Sequence, residues 1–389
     1  VLYACAGLFL CVGSGAARAS AGVSSGGRLC GTVVDQAGAA VTNAWIVTDT
    51  GRLAATDASG AFSVGGLTDG GYAVRVVAPG WAGETVPRIA LRGGETRDIR
   101  ITLTNASPAA ALVEGRLLDA ATGHPVAAYF EILNGSGPVR WFDADGRLYG
   151  GRTEVPKQVW HQANRRFWTL GDFAFSAQPG DLTVRVRAEG YAPLEVRRSL
   201  KPGGRERLDL AVKRLFDPAS EGWFKGDFHA HGVHGEKLYT VNIPFVAFVL
   251  RAEGYRWFYL SSDYSNDGVA ADPLGVAQAE SGADLLLALN AEYPKTFGGH
   301  VGSVGIGPPQ KPLSYPGHSN AEAIRAGIID SGGAAVPLHP LTGHMKSREL
   351  PLVMLGAPEL LSGFDFYTGW SERLERMWAQ FLKIGRAHV

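Results

Sequence analysis

Short apolar segments alternate with turn residues between residues 28 and 104, and within each segment apolar and polar positions alternate. The alternation is clearest over residues 31–35 and 72–76, and the turns contain glycine, aspartate and asparagine. A strand that buries one face shows this period of two, and closely spaced turns are typical of an all-β domain. The pattern predicts a β-sandwich over residues 28–104.

The same pattern returns, more weakly, after a linker at residues 104–111. Counterparts of residues 31–35, 60–64 and 72–77 follow in the same order, at residues 115–119, 171–175 and 182–186. The repeat predicts a second β-sandwich over residues 112–214, with an aromatic-rich insertion from about residue 135 to residue 166. Trp141, Trp160 and Trp168 are candidates for a platform that stacks on carbohydrate, and the alternative is ordinary packing.

From residue 216 onward, apolar runs alternate with longer helical segments, which is typical of an α/β domain. Residues 242–252 are predicted to be helical, and a capping-box pattern at Ser319 begins another helix. Repeated strand–helix units build a βα barrel, whose chemistry lies at the carboxyl ends of its strands. The sequence therefore predicts sandwich modules followed by an α/β barrel domain over residues 220–383.

Residues 223–231 predict a strand that carries a His-x-His pair, His229 and His231. Because successive side chains of a strand point to opposite faces, Asp227, His229 and His231 are expected on one face and small or apolar residues on the other. Two imidazoles on one face can hold a single metal ion at about 2.0–2.1 Å.

Later strand-like runs also lead to histidine or carboxylate residues, and this recurrence favours a metal site. The alternative is that the histidines are buried and hydrogen-bonded within the core and that the carboxylates cap helices. The candidate metal ligands are His229, His231, Asp263, Glu292, His300 and His339. His234 and His344 are candidates for proton transfer or substrate contact, the alternative being solvated loop residues.

Charge and composition narrow the choice of function. Lys plus Arg and Asp plus Glu each number 37, so bulk charge argues against nucleic acid and acidic membranes as partners. A hydrophobic content of 46% supports a real core and argues against disorder. Neither a Gly-x-Ser-x-Gly elbow nor a Gly-rich phosphate-binding loop with Lys-Ser/Thr occurs in the sequence, so the histidines and carboxylates carry the predicted chemistry.

Two stretches resemble known families. The Gly-x-Val-x-Asp opening at Gly31 and the Thr-Asp-x-x-Gly-x-Phe turn at Thr56 resemble the carboxypeptidase regulatory-like domain family. The Gly-Asp-Phe-His-Ala-His segment at residues 226–231, the Glu292 and His300 pair, and Gly-Gly followed by His339-Pro resemble the PHP (polymerase and histidinol phosphatase) superfamily, and within it the CehA/McbA family of metallohydrolases.

The second resemblance implies a distorted seven-stranded (β/α)7 barrel with two or three divalent ions that hydrolyses an ester, carbamate or phosphoester bond of a small molecule. It implies that His229 and His231 bind the first metal, Glu292 bridges two metals, His300 and His339 complete the set, and Asp263 serves a neighbouring metal. Imidazole and carboxylate ligands suit Zn, Mn or Fe. Either Glu292 or a nearby imidazole such as His234 would handle the proton.

The chain departs from the family pattern at two points. Tyr264 follows Asp263 where the family usually has histidine. Residues 378–385 look like the helix that precedes the family's last Asp-x-His motif, and the given sequence stops before that motif, so we expect a fragment whose barrel domain is truncated at its carboxyl end. We therefore expect at least one metal ligand of the family to be absent or replaced.

The two ends of the chain carry further signals. Residues 1–19 combine an apolar run with an Ala-Arg-Ala cleavage pattern, which predicts a secretory signal and a secreted or periplasmic protein that leaves the membrane after cleavage; the alternative is a buried strand. Cleavage would leave Cys30 as a lone cysteine. Residues 384–389 match the translation of a common sequencing adapter, so His388 is excluded from the candidate site.

The sequence therefore supports two hypotheses. The first is a secreted metal-dependent hydrolase with sandwich modules ahead of a barrel. The second is a non-catalytic protein in which a degenerate barrel and the sandwiches bind carbohydrate or another surface, as the Tyr264 departure would favour.

Overall fold

The computed structural model describes residues 26–133, 166–231, 243–261, 273–290, 292–293, 301–304, 328, 330 and 332–337, and every structural statement below concerns these residues. The predicted signal segment and most of the predicted insertion lie outside them.

The first module is a sandwich of two small sheets. Its strands are β1 (Gly27–Asp35), β2 (Trp45–Thr48), β3 (Leu53–Ala55), β4 (Ala61–Leu67), β5 (Gly70–Val77), β6 (Glu84–Leu91) and β7 (Thr96–Leu103). One sheet has the order β4-β1-β7 and the other β3-β2-β5-β6. Alternate strand residues such as Leu29, Ile46, Tyr72 and Ile101 are buried between the sheets, so the period of two in the sequence is the period of burial.

The second module repeats this topology. Its strands are β8 (Ala111–Asp119), β9 (Ala128–Leu133), β10 (Arg166–Thr169), β11 (Asp172–Ala177), β12 (Gly180–Arg187), β13 (Leu194–Leu200) and β14 (Arg205–Val212). They form the sheets β11-β8-β14 and β10-β9-β12-β13. In each module the first and last strands pair in parallel, and a side chain at Gly31 or at its counterpart Gly115 would overlap a backbone carbonyl oxygen of the last strand. The predicted tandem sandwiches are confirmed.

A network of polar groups ties the end of the second module to the segment that follows it. The buried Asp119 carboxylate accepts hydrogen bonds from the backbone N–H of Ala121, from the Tyr191 hydroxyl at 2.9 Å and from Arg214 Nε at 3.0 Å. Arg214 also pairs with Asp217, which caps a 3-10 turn at Pro218–Glu221. These hydrogen bonds, first among them the one from Ala121, hold the pKa of Asp119 well below its ordinary value.

The chain then enters an α/β region with two sheets. The strands β15 (Gly226–His231), β16 (Trp257–Ser261) and β17 (Leu286–Asn290) are parallel and lie in that order, with helix α1 (Ile243–Ala252) and helix α2 (Pro273–Glu280) between them in sequence. The strands β18 (Glu292–Tyr293), β19 (Val301–Val304) and β20 (Ala334–Pro337) form an antiparallel sheet. The helix predicted at residues 242–252 is confirmed as α1, whereas the complete seven-stranded barrel stays a prediction.

Helix α1 packs on two different cores. Ile243, Ala247 and Leu250 contact the core of the parallel sheet, while the Phe248 ring enters the core of the second sandwich. That second core also includes Val47 and Val77 of the first module. The two sandwiches and the α/β region therefore share continuous apolar packing.

Polar contacts between modules reinforce this packing. Glu114 accepts hydrogen bonds from Arg205 at 2.7 and 2.8 Å and from the indole N–H of Trp45 in the first module. Burial alone would raise the pKa of Glu114, but the bonds from Arg205 and Trp45 outweigh burial and lower it. Thr68 Oγ1 of the first module donates to Glu280 Oε1 of α2 at 2.6 Å.

Neither of the two helices in the described ranges has the length and apolar character of a membrane-spanning helix.

Replacing Phe248 with alanine removes a ring that is 2% exposed, and the cavity should lower the free energy of unfolding by about 3–5 kcal/mol. Urea unfolding measures the change, with Phe224→Ala, at a phenylalanine that is 56% exposed, as the matched control. Equal, small losses in both variants would contradict the shared core.

Replacing Asp119 with asparagine should lower the Tm by several degrees at pH 7, because the native state then loses the ionised acceptor of Tyr191 and Arg214. A carboxylate whose pKa is depressed in the folded state stabilises the protein above its unfolded pKa of about 4, and that stabilisation is lost as pH falls further. The Tm difference from wild type should thus shrink below pH 4 in a thermal series, whereas Asp181→Asn at an exposed position should change little at any pH.

Candidate functional site

The carboxyl ends of the three parallel strands lie side by side. The backbone of His231 pairs with Ser261, and Ser261 pairs with Asn290. In sequence, Asp263 follows the second of these strands by two residues and Glu292 follows the third by two residues. The described ends of these three strands therefore lie along one edge of the sheet, while Asp263 itself lies outside the described residues.

The two faces of this sheet have different neighbours. Phe258 and Leu260 of β16 pack in the core that the helices cover. Trp257, Tyr259 and Ala288 lie on the opposite face, where Tyr259 contacts Val336 of β20. This second face is called the inner face below.

Strand β15 is irregular, and the irregularity changes which positions share a face. Asp227 pairs with Phe258, but the next pairs are Ala230 with Leu260 and His231 with Ser261, so β15 contains one residue more than β16 over this stretch. Because paired residues of neighbouring strands share a face, Asp227 lies on the helix-covered face and position 231 on the inner face. The expectation that Asp227 shares a face with His231 is wrong, since it assumed uninterrupted alternation.

Position 292 belongs to the antiparallel sheet that faces the inner face. Glu292 pairs with Gly302, and Gly302 pairs with Val336. Val336 is the residue that contacts Tyr259 across the two sheets. Positions 231 and 292 therefore lie on the two facing surfaces.

The structure describes the backbone of some candidate site residues and nothing of the others. The backbones of His229, His231 and Glu292 are described and their side chains are not. Outside the described residues lie Asp263, His300, His339, His234, His344 and Tyr264. Among the described side chains there is no group of three or more histidine, cysteine, aspartate or glutamate residues that could hold a metal ion.

Two features of the inner face were missed by the sequence reasoning. The extra residue in β15 has no local signal, because it appears only in the pairing with β16. The alternation of Trp257 and Tyr259 in a short strand could have indicated an aromatic layer next to the predicted ligands, and their rings are 6.3 Å apart at 70°.

Trp168, one of the three candidates for carbohydrate stacking, is engaged in packing. Its indole N–H donates to Glu253 Oε1 at 2.6 Å, and its ring lies 5.8 Å from that of Tyr129. Glu253 directly follows α1, so the contact joins the second sandwich to the α/β region. For Trp168 the structure favours the packing alternative, while Trp141 and Trp160 lie outside the described residues.

Comparison with known proteins identifies one part of the chain. Residues 28–104 match the carboxypeptidase regulatory-like domain. The resemblance of the first module to that family is thereby confirmed. No curated protein matches the chain.

Solved structures show only limited similarity. The TIE protein of Bacillus anthracis is 18% identical at a TM-score of 0.19, over 49% of this chain and 34% of that one. A cohesin–X-dockerin complex from Acetivibrio cellulolyticus is 13% identical at a TM-score of 0.18, over 21% of this chain and 56% of that one. GBS52, a minor pilin of Streptococcus agalactiae, is 14% identical at a TM-score of 0.19, over 49% of this chain and 98% of that one. The chain thus spans about a third of the first of these proteins and just over half of the second, and TM-scores this low do not establish a shared overall fold.

Replacing Trp168 with phenylalanine keeps the ring and removes the donor to Glu253. Hydrogen bonds to charged groups contribute about 1.5–3 kcal/mol, so the free energy of unfolding should fall by up to about that amount. Chemical denaturation provides the measurement, with Trp223→Phe at an exposed tryptophan as the control. Unchanged stability together with lost carbohydrate binding would instead favour the stacking role.

Proposed function

We propose that this chain is a metal-dependent hydrolase that acts outside the cytoplasm on an ester, carbamate or phosphoester bond of a small molecule. The observation that carries the proposal is the backbone register of the α/β region. The ends of β15, β16 and β17 form one row at His231, Ser261 and Asn290, and Glu292 lies on the sheet that faces this row.

The residues proposed for this site are of types suited to divalent metal ions. Imidazole and carboxylate groups without thiolates are the donors that Zn, Mn and Fe accept in proteins. His229 and His231 would hold one ion, Glu292 would bridge it to a second, and Asp263, His300 and His339 would supply further ligands, as the resemblance to the PHP superfamily implies. The strand register supports this assignment for positions 231 and 292, which lie on facing surfaces.

Hydrolysis needs a nucleophile and a proton acceptor. Divalent ions, when bound, make hydroxide accessible at neutral pH by lowering the pKa of water from about 15.7 towards about 7. The carboxylate of Glu292 or the imidazole of His234 would accept the proton of the attacking water and return it to the leaving group. His229 and His231 would bind a metal ion as neutral imidazoles, since a protonated ring has no free electron pair to donate.

The alternative function is binding without turnover. Tyr264 in place of the usual histidine favours it, because one ligand of the family set would then be a phenol or missing. Either function allows metal binding, so only turnover separates them. Metal content is measured as well, because it shows whether the site exists.

Replacing His229 or Glu292 with alanine should abolish hydrolysis and weaken Zn²⁺ or Mn²⁺ binding by at least tenfold, since even the loss of a group that only supports a ligand costs about 10–100-fold. Metal content by elemental analysis and turnover of a panel of chromogenic esters, carbamates and phosphoesters are measured on the full chain. His124→Ala, in an exposed turn of the second sandwich, is the matched histidine control.

The possible outcomes separate the two functions. A wild-type chain that binds no metal would contradict the proposal. Stoichiometric metal without turnover of any substrate would favour the binding function.

A further inference from the structure

Exposed apolar side chains are concentrated in the segment that joins the second sandwich to β15. Four of the seven large apolar side chains that are exposed in the described ranges lie within ten residues, and between 55% and 61% of each is exposed: Leu215, Phe216, Trp223 and Phe224. Single exposed apolar residues are normal on a protein surface, whereas a cluster of them marks an interaction site. Residues 213–225 are called the connecting segment below.

Hydrogen bonds hold the connecting segment in a folded-back conformation. The backbone N–H groups of Leu215 and Phe216 both donate to the Gly190 carbonyl of the second sandwich, at 2.8 and 3.2 Å. After the 3-10 turn, the N–H of Trp223 donates to the Pro218 carbonyl at 2.8 Å. The two apolar pairs therefore lie beside the same turn, on a backbone that is fixed before any partner binds. Because the ordering of loops is one of the costs of association, such a segment is suited to binding.

The charges of the connecting segment balance. Arg214 pairs with Asp217 at 3.2 Å, and Lys225 pairs with a carboxylate of the second sandwich at 3.9 Å. Lys213 and Glu221 are exposed, and neither has an ion-pair partner within the described ranges. A surface with one unpaired charge of each sign matches a second copy of itself, since each charge can meet its opposite across a two-fold axis. An acidic membrane or a strongly charged protein would instead require an excess of one sign.

The exposed apolar area has the size of an interface centre. Three aromatic side chains of about 150–250 Å² each and one leucine, all a little more than half exposed, present roughly 400 Å² of apolar surface. A standard interface buries about 800 Å² on each partner, of which roughly 65% is apolar in a homodimer. The four side chains therefore supply most of the apolar area that a second copy would cover.

We propose that the connecting segment is the centre of a two-fold interface between two copies of this chain. The four apolar side chains pack against those of the second copy, and Lys213 faces the partner's Glu221. None of the candidate metal ligands belongs to this segment, so the inference goes beyond the proposed function and does not rest on it.

The test is the oligomeric state of the full chain, measured by sedimentation velocity over a series of protein concentrations. The wild type should pass from monomer to dimer as the concentration rises. Leu215→Ser combined with Phe216→Ser should weaken dimerisation about tenfold or more, because apolar groups at the centre of an interface carry most of its free energy. Leu170→Ser combined with Leu274→Ser changes two exposed leucines outside the segment and is the matched control. Circular dichroism checks that each variant is folded.

Charge reversal tests the two-fold arrangement. Lys213→Glu and Glu221→Lys should each weaken dimerisation several-fold, since each change places like charges opposite one another across the interface. The variant with both changes has the same pair in reverse order and should regain the wild-type affinity. Affinity in the combined variant no higher than in the single variants would overturn the two-fold arrangement.

The other outcomes are also decisive. A wild type that stays monomeric at every concentration overturns the proposal, and cosedimentation of that monomer with phosphatidylcholine vesicles would assign the surface to a membrane. A dimer of unchanged affinity in the Leu215→Ser and Phe216→Ser variant overturns it too, because another surface would then join the two copies. Metal binding and turnover are measured separately, so a failure of the proposed function is distinguished from a failure of this inference.

Discussion

Helix α1 is buried on two sides, and the arrangement of the described chain depends on this constraint. One side, with Ile243, Ala247 and Leu250, covers the parallel sheet, and the other inserts Phe248 into the core of the second sandwich. Separating the sandwiches from the α/β region would expose the ring to water at a cost that hydrophobic burial sets at a few kcal/mol. The second sandwich is therefore packed against the described α/β region.

Several charged and aromatic groups of the sandwich modules form contacts between modules. On an isolated sandwich the same groups could serve as binding residues. Glu114 accepts from Arg205 and from Trp45, and Trp168 donates to Glu253 beside α1. In the described structure they join the first sandwich to the second and the second sandwich to the α/β region.

The candidate site combines regular and irregular features of the sheet. Parallel strands bring their carboxyl ends to one edge without further help, and this explains why residues far apart in sequence meet in the row of His231, Ser261 and Asn290. The extra residue in β15 then separates Asp227 from His231 and assigns them to opposite faces. A metal site at this edge would thus depend as much on the pairing of β15 with β16 as on its ligand residues.

The sequence by itself determined the two sandwiches, the helix at residues 243–252 and four strands of the α/β region (β15, β16, β17 and β20), because alternation of apolar residues, turn signals and helical periodicity act over a few neighbouring residues. Its prediction that a set of histidines and carboxylates shares metal ions stays a prediction. Only the tertiary structure decided that Trp168 packs beside α1, that Asp227 leaves the face of His231, and that the Trp257 ring lies on Gly226. Each of these depends on a partner 30 or more residues away or on the register between two strands, and the free energy of such contacts is set by packing that no local pattern encodes.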